Sequence, residues 1–422
     1  MAISRREVLA GLGTLAAASA VRPLHALGMS PPRSSDHAPD TPIAGDGFPR
    51  KADFNLAEGY TYLSGAYTHP MPRASVEAMH GWVNRRSTVG GPPAPPRTDP
   101  RLSFAALINA KPSEVGFIPN TSTGENFVVE ALGIRRFDGN VVTDALHFEG
   151  ALVHLKELQK EGLDLRIVAP QKDGRIDLED MARVVDRKTR LIEVSLVSMY
   201  NGFQHDLKAV CDLAHAHGAY VYADIIQGVG AVPFDVKATG VDFAATASYK
   251  WLMGDFGVGF MYIREELLGR MVRRTHWSYE SAPDTELHLS PFDPEYPKPV
   301  TWTPGTQVPQ YVQLGTYAIG ASVALAVSIP YIQALGVDQI EQHRQPMLQK
   351  LQQEMPRLGF TPQTPAGSKS PIVTFAHKDT TQVGERLDRA KVTIRVAPTW
   401  VRIAPSVYND MADIDRLLNA LS

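Results

Sequence analysis

Between about residues 100 and 265 the chain alternates short apolar runs with helical patterns, and this alternation constrains its fold more than any other feature. The apolar runs fall at 115–118, 140–143, 164–169, 190–196, 219–223, 243–245 and 258–263. Helical patterns at 125–132, 150–160, 178–185 and 207–217 lie between most of them. Runs this short and this apolar suit strands buried on both faces, with the helices supplying the crossovers that parallel strands require. The expected class is therefore α/β: a mixed, mostly parallel sheet flanked by helices. The last hundred residues read as two helices, short strands and a closing helix over 413–421, which suits a smaller α+β domain.

The N-terminus reads differently. Ser4-Arg5-Arg6-Glu7-Val8-Leu9 is a twin-arginine arrangement followed by a modestly apolar stretch to Val21, with Ala18-Ser19-Ala20 or Leu24-His25-Ala26 as cleavage points. The apolar stretch is too short for a stable membrane anchor. The expectation is an export signal over residues 1–26, a Pro- and Ser-rich linker over 27–50, and a periplasmic or secreted product. The net charge of −3 becomes −5 once three arginines and one glutamate leave with the signal, so nothing favours nucleic acid as a partner. Cys211 is the only cysteine, which excludes an internal disulfide, and its helical setting suits a packed small hydrophobe. A Pro-rich surface loop is expected over 90–96, and an irregular excursion with seven prolines over 280–310.

Four features bear chemistry, each placed after a successive expected strand. Asn120-Thr121-Ser122-Thr123-Gly124-Glu125-Asn126 joins an apolar run to a helix, so free N–H groups with the Ser122 and Thr123 hydroxyls would hold an anion; an ordinary N-cap box reads equally well. His147 follows the run at 140–143 and offers a flat ring, although a lone histidine is more often simply packed. Asp224 ends the alternation Ala219-Tyr220-Val221-Tyr222-Ala223, with Gln227 three residues later. Lys250 lies in Ala247-Ser248-Tyr249-Lys250-Trp251, 26 residues beyond Asp224. A lysine can form a Schiff base with an aldehyde cofactor, and a buried carboxylate can keep a pyridine nitrogen protonated. Together they point to pyridoxal 5'-phosphate.

With these residues in place the chain resembles the class V aminotransferase family of pyridoxal phosphate enzymes, fold type I. The branch is the one with group II cysteine desulfurases, selenocysteine lyases and isopenicillin N epimerase. The resemblance runs from about Tyr62 to the C-terminus. It implies that Ser122, Thr123 and Gly124 belong to the phosphate loop, that His147 stacks on the ring, and that Asp224 and Gln227 form its D-x-x-Q pair. Lys250, beside Tyr249, would carry the cofactor. Gly305-Thr306 resembles a loop sent across a homodimer interface to the partner's phosphate, and Arg402 matches the arginine that binds the substrate carboxylate. Tyr62-Leu63-Ser64-Gly65-Ala66 is similar to the opening strand and turn. The implied partition is a segment over 51–72 joining the small domain, a large cofactor domain over 73–315 and a small domain over 316–422.

Departures from the pattern are as informative. Desulfurases of this branch carry a nucleophilic cysteine before the arginine, where this chain has Val396-Ala397-Pro398-Thr399-Trp400. Ala247 and Tyr249 replace a Ser and a His that precede the lysine in many relatives, and Met199 falls where an Asn often supports the cofactor's phenolic oxygen, with Ser198 and Asn201 nearby. The expected activity is C–S-lyase-like β-elimination on a small amino acid without a catalytic cysteine. Epimerisation and transamination follow in that order, and an inert secreted binding protein is the reading from another class. No metal is expected.

Overall fold

The computed structural model describes residues 47–89, 98–282 and 301–422. The expected signal, most of the linker, the Pro-rich loop at 90–96 and residues 283–300 of the excursion expected over 280–310 lie outside the described residues.

Thirteen strands are described, in chain order β1 (Thr61–Tyr62), β2 (Val115–Ile118), β3 (Asn140–Asp144), β4 (Asp164–Val168), β5 (Thr189–Ser195), β6 (Tyr220–Asp224), β7 (Phe243–Ala247), β8 (Gly259–Ile263), β9 (Thr361–Pro362), β10 (Val373–Ala376), β11 (Val392–Thr393), β12 (Arg395–Ala397) and β13 (Trp400–Ile403). The central sheet has the order β2-β8-β7-β6-β5-β3-β4. Strands β4, β3, β5, β6 and β7 pair in parallel, and only β8 runs against its neighbours. This is the mixed, mostly parallel sheet that the alternation predicts. Its strands are buried along nearly their whole length because helices cover both faces.

Helices α1 (Arg73–Val89), α2 (Pro100–Leu107), α3 (Thr121–Ala131), α4 (Glu149–Lys160), α5 (Leu178–Val184), α6 (Leu207–Ala216) and α7 (Val236–Thr239) belong to this half of the chain. One correction matters for the site. The hydroxyl run 121–123 is not a loop before a helix at 125 but the first turn of α3, with Asn120 as N-cap and its Oδ1 accepting from Thr123 N at 2.9 Å. Gly124 lets this helix lie close on the sheet, since a Cβ there would stand 2.7 Å from Ala245 Cβ.

Beyond the short α8 (Val308–Val312) come α9 (Ile319–Leu335), α10 (Val337–Glu354), α11 (Thr381–Arg389) and α12 (Met411–Leu421). Strands β12-β13-β10-β9 form a second, antiparallel sheet whose apolar side, with Val373, Phe375, Val401 and Ile403, packs against Met347, Leu351, Ile414 and Leu417. Leu63 joins that cluster because β1 pairs with β11. Helix α9 sends Leu325, Ile329 and Ile332 into the core of the large sheet instead.

Candidate active site

Strand order decides what meets what. Parallel β3, β5, β6 and β7 deliver His147, Ser195–Met199, Asp224 and Lys250 to one edge, the carboxyl end of the sheet. Lys250 is 9% exposed and its ammonium makes no hydrogen bond among the described residues. Burial drives its pKa down to about 8, against a partial pull upward from Asp224, so roughly a tenth of the amine is free base at pH 7, far more than at its ordinary value. Asp224 is 4% exposed and accepts from Ile226 N at 2.9 Å. Burial raises it to about 6, with the Ile226 bond and Lys250 acting the other way.

His147 is fully buried. Its Nδ1 pairs with Ser195 Oγ at 2.9 Å, while Nε2 is buried without a partner. Burial pushes its pKa down to about 4, so the ring is neutral. Thr121 Oγ1 is likewise buried and unpartnered. An unsatisfied ring nitrogen, an unsatisfied hydroxyl and an ionisable carboxyl around one space, with a free buried amine at the same sheet edge, are what an aromatic, phosphorylated aldehyde would satisfy. The residues fit pyridoxal phosphate.

Arg402 projects from β13 and is 6% exposed; its Nη1 donates to Met199 O at 2.8 Å. It has no acidic partner among the described residues, and burial, then Arg395, lower its pKa to about 10. Arg395 is its cross-strand partner, so both guanidinium groups stand on the side of the small sheet away from the apolar core. Like charges directly opposite are unfavourable unless something anionic lies between them.

Other expected residues are placed differently. Gln227 is committed: its Nε2 donates to Ala66 O and its Oε1 accepts from Trp251 Nε1, both at 3.0 Å, which leaves one N–H. Tyr249 is half-buried and stacks on Phe256 with centroids 4.3 Å apart. Lys250 Nζ lies 5.8 Å from the Tyr249 ring centroid. Ser248 donates to Asp255 O. Ser122 is exposed and Thr123 partly so, and Thr123 Oγ1 donates to Asn120 Oδ1 at 3.1 Å. Gly305 and Thr306 make no hydrogen bond to the Lys250–Asp224 cluster of their own chain. Arg274 holds Gly305 O at 2.6 Å while lying over Tyr311 and Trp277. Trp400 lines a cavity of about 460 Å³ with Leu146, Tyr200 and Thr374. Cys211 is 1% exposed on α6, and burial pushes its thiol up to about 12.

Three residues with evident parts in the site escaped the sequence reading: Thr121, Ser195 and Arg395. Thr121 adjoins the expected hydroxyls and could have been found there; Ser195 and Arg395 depend on register between distant strands.

Residues 97–417 match the family described as Aminotransferase class-V. The chain belongs to this family. Class V aminotransferases are pyridoxal phosphate enzymes, and this chain is one. A probable cysteine desulfurase of Methanothermobacter thermautotrophicus is 29% identical over 311 residues, covering 71% of this chain and 74% of that protein. A cysteine desulfurase of Escherichia coli K12 is 27% identical over 344 residues, covering 76% and 80%. Among solved structures, the apo cysteine desulfurase from Thermococcus onnurineus superposes with a TM-score of 0.76 at 23% identity, covering 89% of this chain and 98% of that one. The cystine C–S lyase C-DES, in complex with its product cysteine persulfide, gives 0.72 at 18% identity, covering 86% and 97%.

Proposed function

We propose that this class V enzyme performs C–S-lyase-like β-elimination on a small amino acid, without a catalytic cysteine. The observation that carries the reading is Lys250: a buried, unbonded amine near pKa 8 that interacts with Asp224, with no second base of comparable strength around it among the described residues. When bound, pyridoxal phosphate supplies the electron sink for cleavage at the α-carbon. Thr121, Ser122 and Thr123 at the start of α3 hold its phosphate, His147 lies against its ring, and Asp224 keeps the ring nitrogen protonated. Lys250 accepts the α-proton at Nζ. Arg402 fixes the substrate carboxylate with two parallel bonds, which sets the bond to be broken in the productive orientation.

Elimination is favoured over epimerisation by His147. Inversion needs an acid on the face opposite the base, and a neutral ring with Nδ1 tied to Ser195 is a poor one. The absence of a catalytic cysteine is supported by the inert setting of Cys211 and by Pro398 and Thr399 in the turn between β12 and β13. Arg395 beside Arg402 further supports a substrate with a second carboxylate, such as cystine, the substrate named for the C-DES relative.

The protein is read as an exported homodimer. Twin arginines at 5 and 6 support the address. Trp277, Tyr279 and Leu314 are each more than half exposed, and Leu314 lines a cavity with Ser122 and Thr123 of α3; this supports a partner's approach there and a role for Gly305-Thr306 across the interface. The working partition remains 51–72, 73–315 and 316–422.

The test is absorbance of the purified protein, followed by incubation with cystine and with L- and D-amino acids. A visible band that disappears in Lys250→Ala, with release of pyruvate and ammonia from a sulfur amino acid, is the expected result. Racemised substrate or a keto-acid product without ammonia would replace elimination with epimerisation or transamination.

A further inference from the structure

The cofactor reading gives Asp224 a task but leaves two buried acids beside it without one. Glu125, in the opening turns of α3, is 3% exposed; its Oε1 accepts from His154 Nδ1 and its Oε2 from Asn126 Nδ2, both at 2.8 Å. Glu193, in the middle of β5, is fully buried, and neither carboxyl oxygen has a hydrogen-bond partner. Its register partner on β6 is Tyr222, also fully buried, whose hydroxyl donates to Thr121 O at 3.4 Å. Beside Glu125 and Tyr222 lies a cavity of about 10 Å³, room for roughly one water, lined by Thr121, Ser122, Glu125, His147, Tyr222 and Asp224 among others, with Glu193 behind it. Glu125 thus faces the space that the ring and phosphate of the cofactor share.

A fully buried carboxyl with no partner stays neutral, because ionising it there costs far more than protonating it. Glu193 is therefore the silent member of the pair. Glu125 differs: it is bonded to His154, whose side chain is 16% exposed and keeps an outlet to solvent. Burial first and then Glu125 disfavour ionisation of Glu193, so any charge goes to Glu125. That charge would sit about one turn from the residues that hold the phosphate. A phosphate monoester carries about −1.5 to −2 at neutral pH, against at most one positive charge on the ring, so repulsion outweighs attraction.

We propose that Glu125 is a charge-setting residue of the cofactor site: linked to the surface by His154 and backed by the neutral Glu193, it loses its proton as pH rises and so weakens retention of the anionic phosphate ligand at the start of α3. The inference rests on the cofactor reading above. Groups facing Glu125 are His154 from α4, Glu193 from β5, Tyr222 and Asp224 from β6, and His147 after β3; Ala245 of β7 and Met261 of β8 lie against Gly124 on the same helix. Burial raises Glu125 above the ordinary carboxylate range, and His154 draws it part of the way back. A purely structural bridge between α3 and α4 would also explain the His154 bond, but its loss would weaken binding equally at every pH.

The experiment measures the dissociation constant of pyridoxal phosphate for wild-type apoprotein and for Glu125→Gln from about pH 5.5 to 8.5, a window spanning the groups concerned. Titration of the ligand is common to both proteins and cancels in the ratio; Asp224 feels the Glu125 charge, so the same ratio is also taken in an Asp224→Asn background, where the rise with pH should persist. The wild-type constant divided by the variant constant should be near one at the acid end and rise roughly three- to tenfold at the alkaline end, as expected of one unit charge near the phosphate. Calorimetry in two buffers of different ionisation enthalpy should show greater proton uptake on binding by the wild type. Should Glu125→Gln fold poorly, His154→Asn keeps an N–H donor but takes away the pull by which His154 lowers Glu125, and should move the break in the profile to higher pH. A ratio independent of pH, or an unmoved break in His154→Asn, overturns the inference alone. Failure of both proteins to bind at any pH overturns the cofactor reading with it.

Discussion

The two faces of the central sheet are built from the same strands and have opposite contents. One face presents Val142, Ile192, Val194, Val221, Ala223 and Ala244 to a continuous apolar core. On the other, the intervening residues Thr143, Glu193, Ser195, Tyr222 and Asp224 stand among Val141, Leu191, Phe243 and Ala245. Period-two alternation lets a single strand serve both ends: every second residue can be polar and buried because the residues between serve wholly for packing. Chemistry on one side is held in place by hydrocarbon on the other.

That contrast can be broken from either side. The largest effect should come from Lys250→Ala, which should lower kcat by roughly a thousandfold or more while leaving thermal stability nearly unchanged, measured by turnover and by melting. Next comes the apolar face. Ile192→Ala should cost about 2–5 kcal/mol in denaturant titration, with KM unchanged in the protein that remains folded. Arg402→Lys keeps the charge but loses the fork, and should raise KM for the amino acid by roughly tenfold with a smaller change in kcat.

The smallest effect tests the polar face as a source of instability. Burial holds the Glu193 carboxyl well above its ordinary range. Below about pH 4.3, the unfolded value, both states are protonated and nothing is lost. As pH rises past it, the unfolded chain releases a proton that the folded chain retains, so stability falls with pH. Glu193→Gln removes this slope, and its melting temperature should exceed that of the wild type at neutral pH and converge with it in acid. If the difference runs the other way, Glu193 is ionised and paired in solution and the two faces are less distinct than they look.

Much of this could be read in the chain beforehand. Strands buried on both faces announce themselves as apolar runs, so the sheet, its direction and the positions of Asp224 and Lys250 at its edge followed. Hydroxyl residues misled at α3, because Ser and Thr suit a cap and a first turn equally, and it took Asn120 as N-cap to tell them apart. Gln227 reads as a cofactor contact in the sequence, and only the structure shows that Ala66 and Trp251 hold it so that one N–H is left. Glu193 lies inside the run Leu191-Ile192-Glu193-Val194 and looks like an edge residue, since only register with Tyr222 and Thr143 shows that it is sealed. Arg395 was hidden for the same reason, its meaning depending on which residue lies across from it.

The pairing of β1 with β11 has a consequence for the order of assembly. Thr61 meets Val392, and the turn just beyond β1 brings Ala66 O to Gln227. A growing chain therefore makes one of its first strands long before that strand's partner exists, and closing so long a loop is slow. The wall of the site formed by residues 61–66 is completed only when synthesis has nearly ended, so a nascent or C-terminally truncated chain would hold the sheet edge with its lysine and aspartate but leave their pocket open on that side.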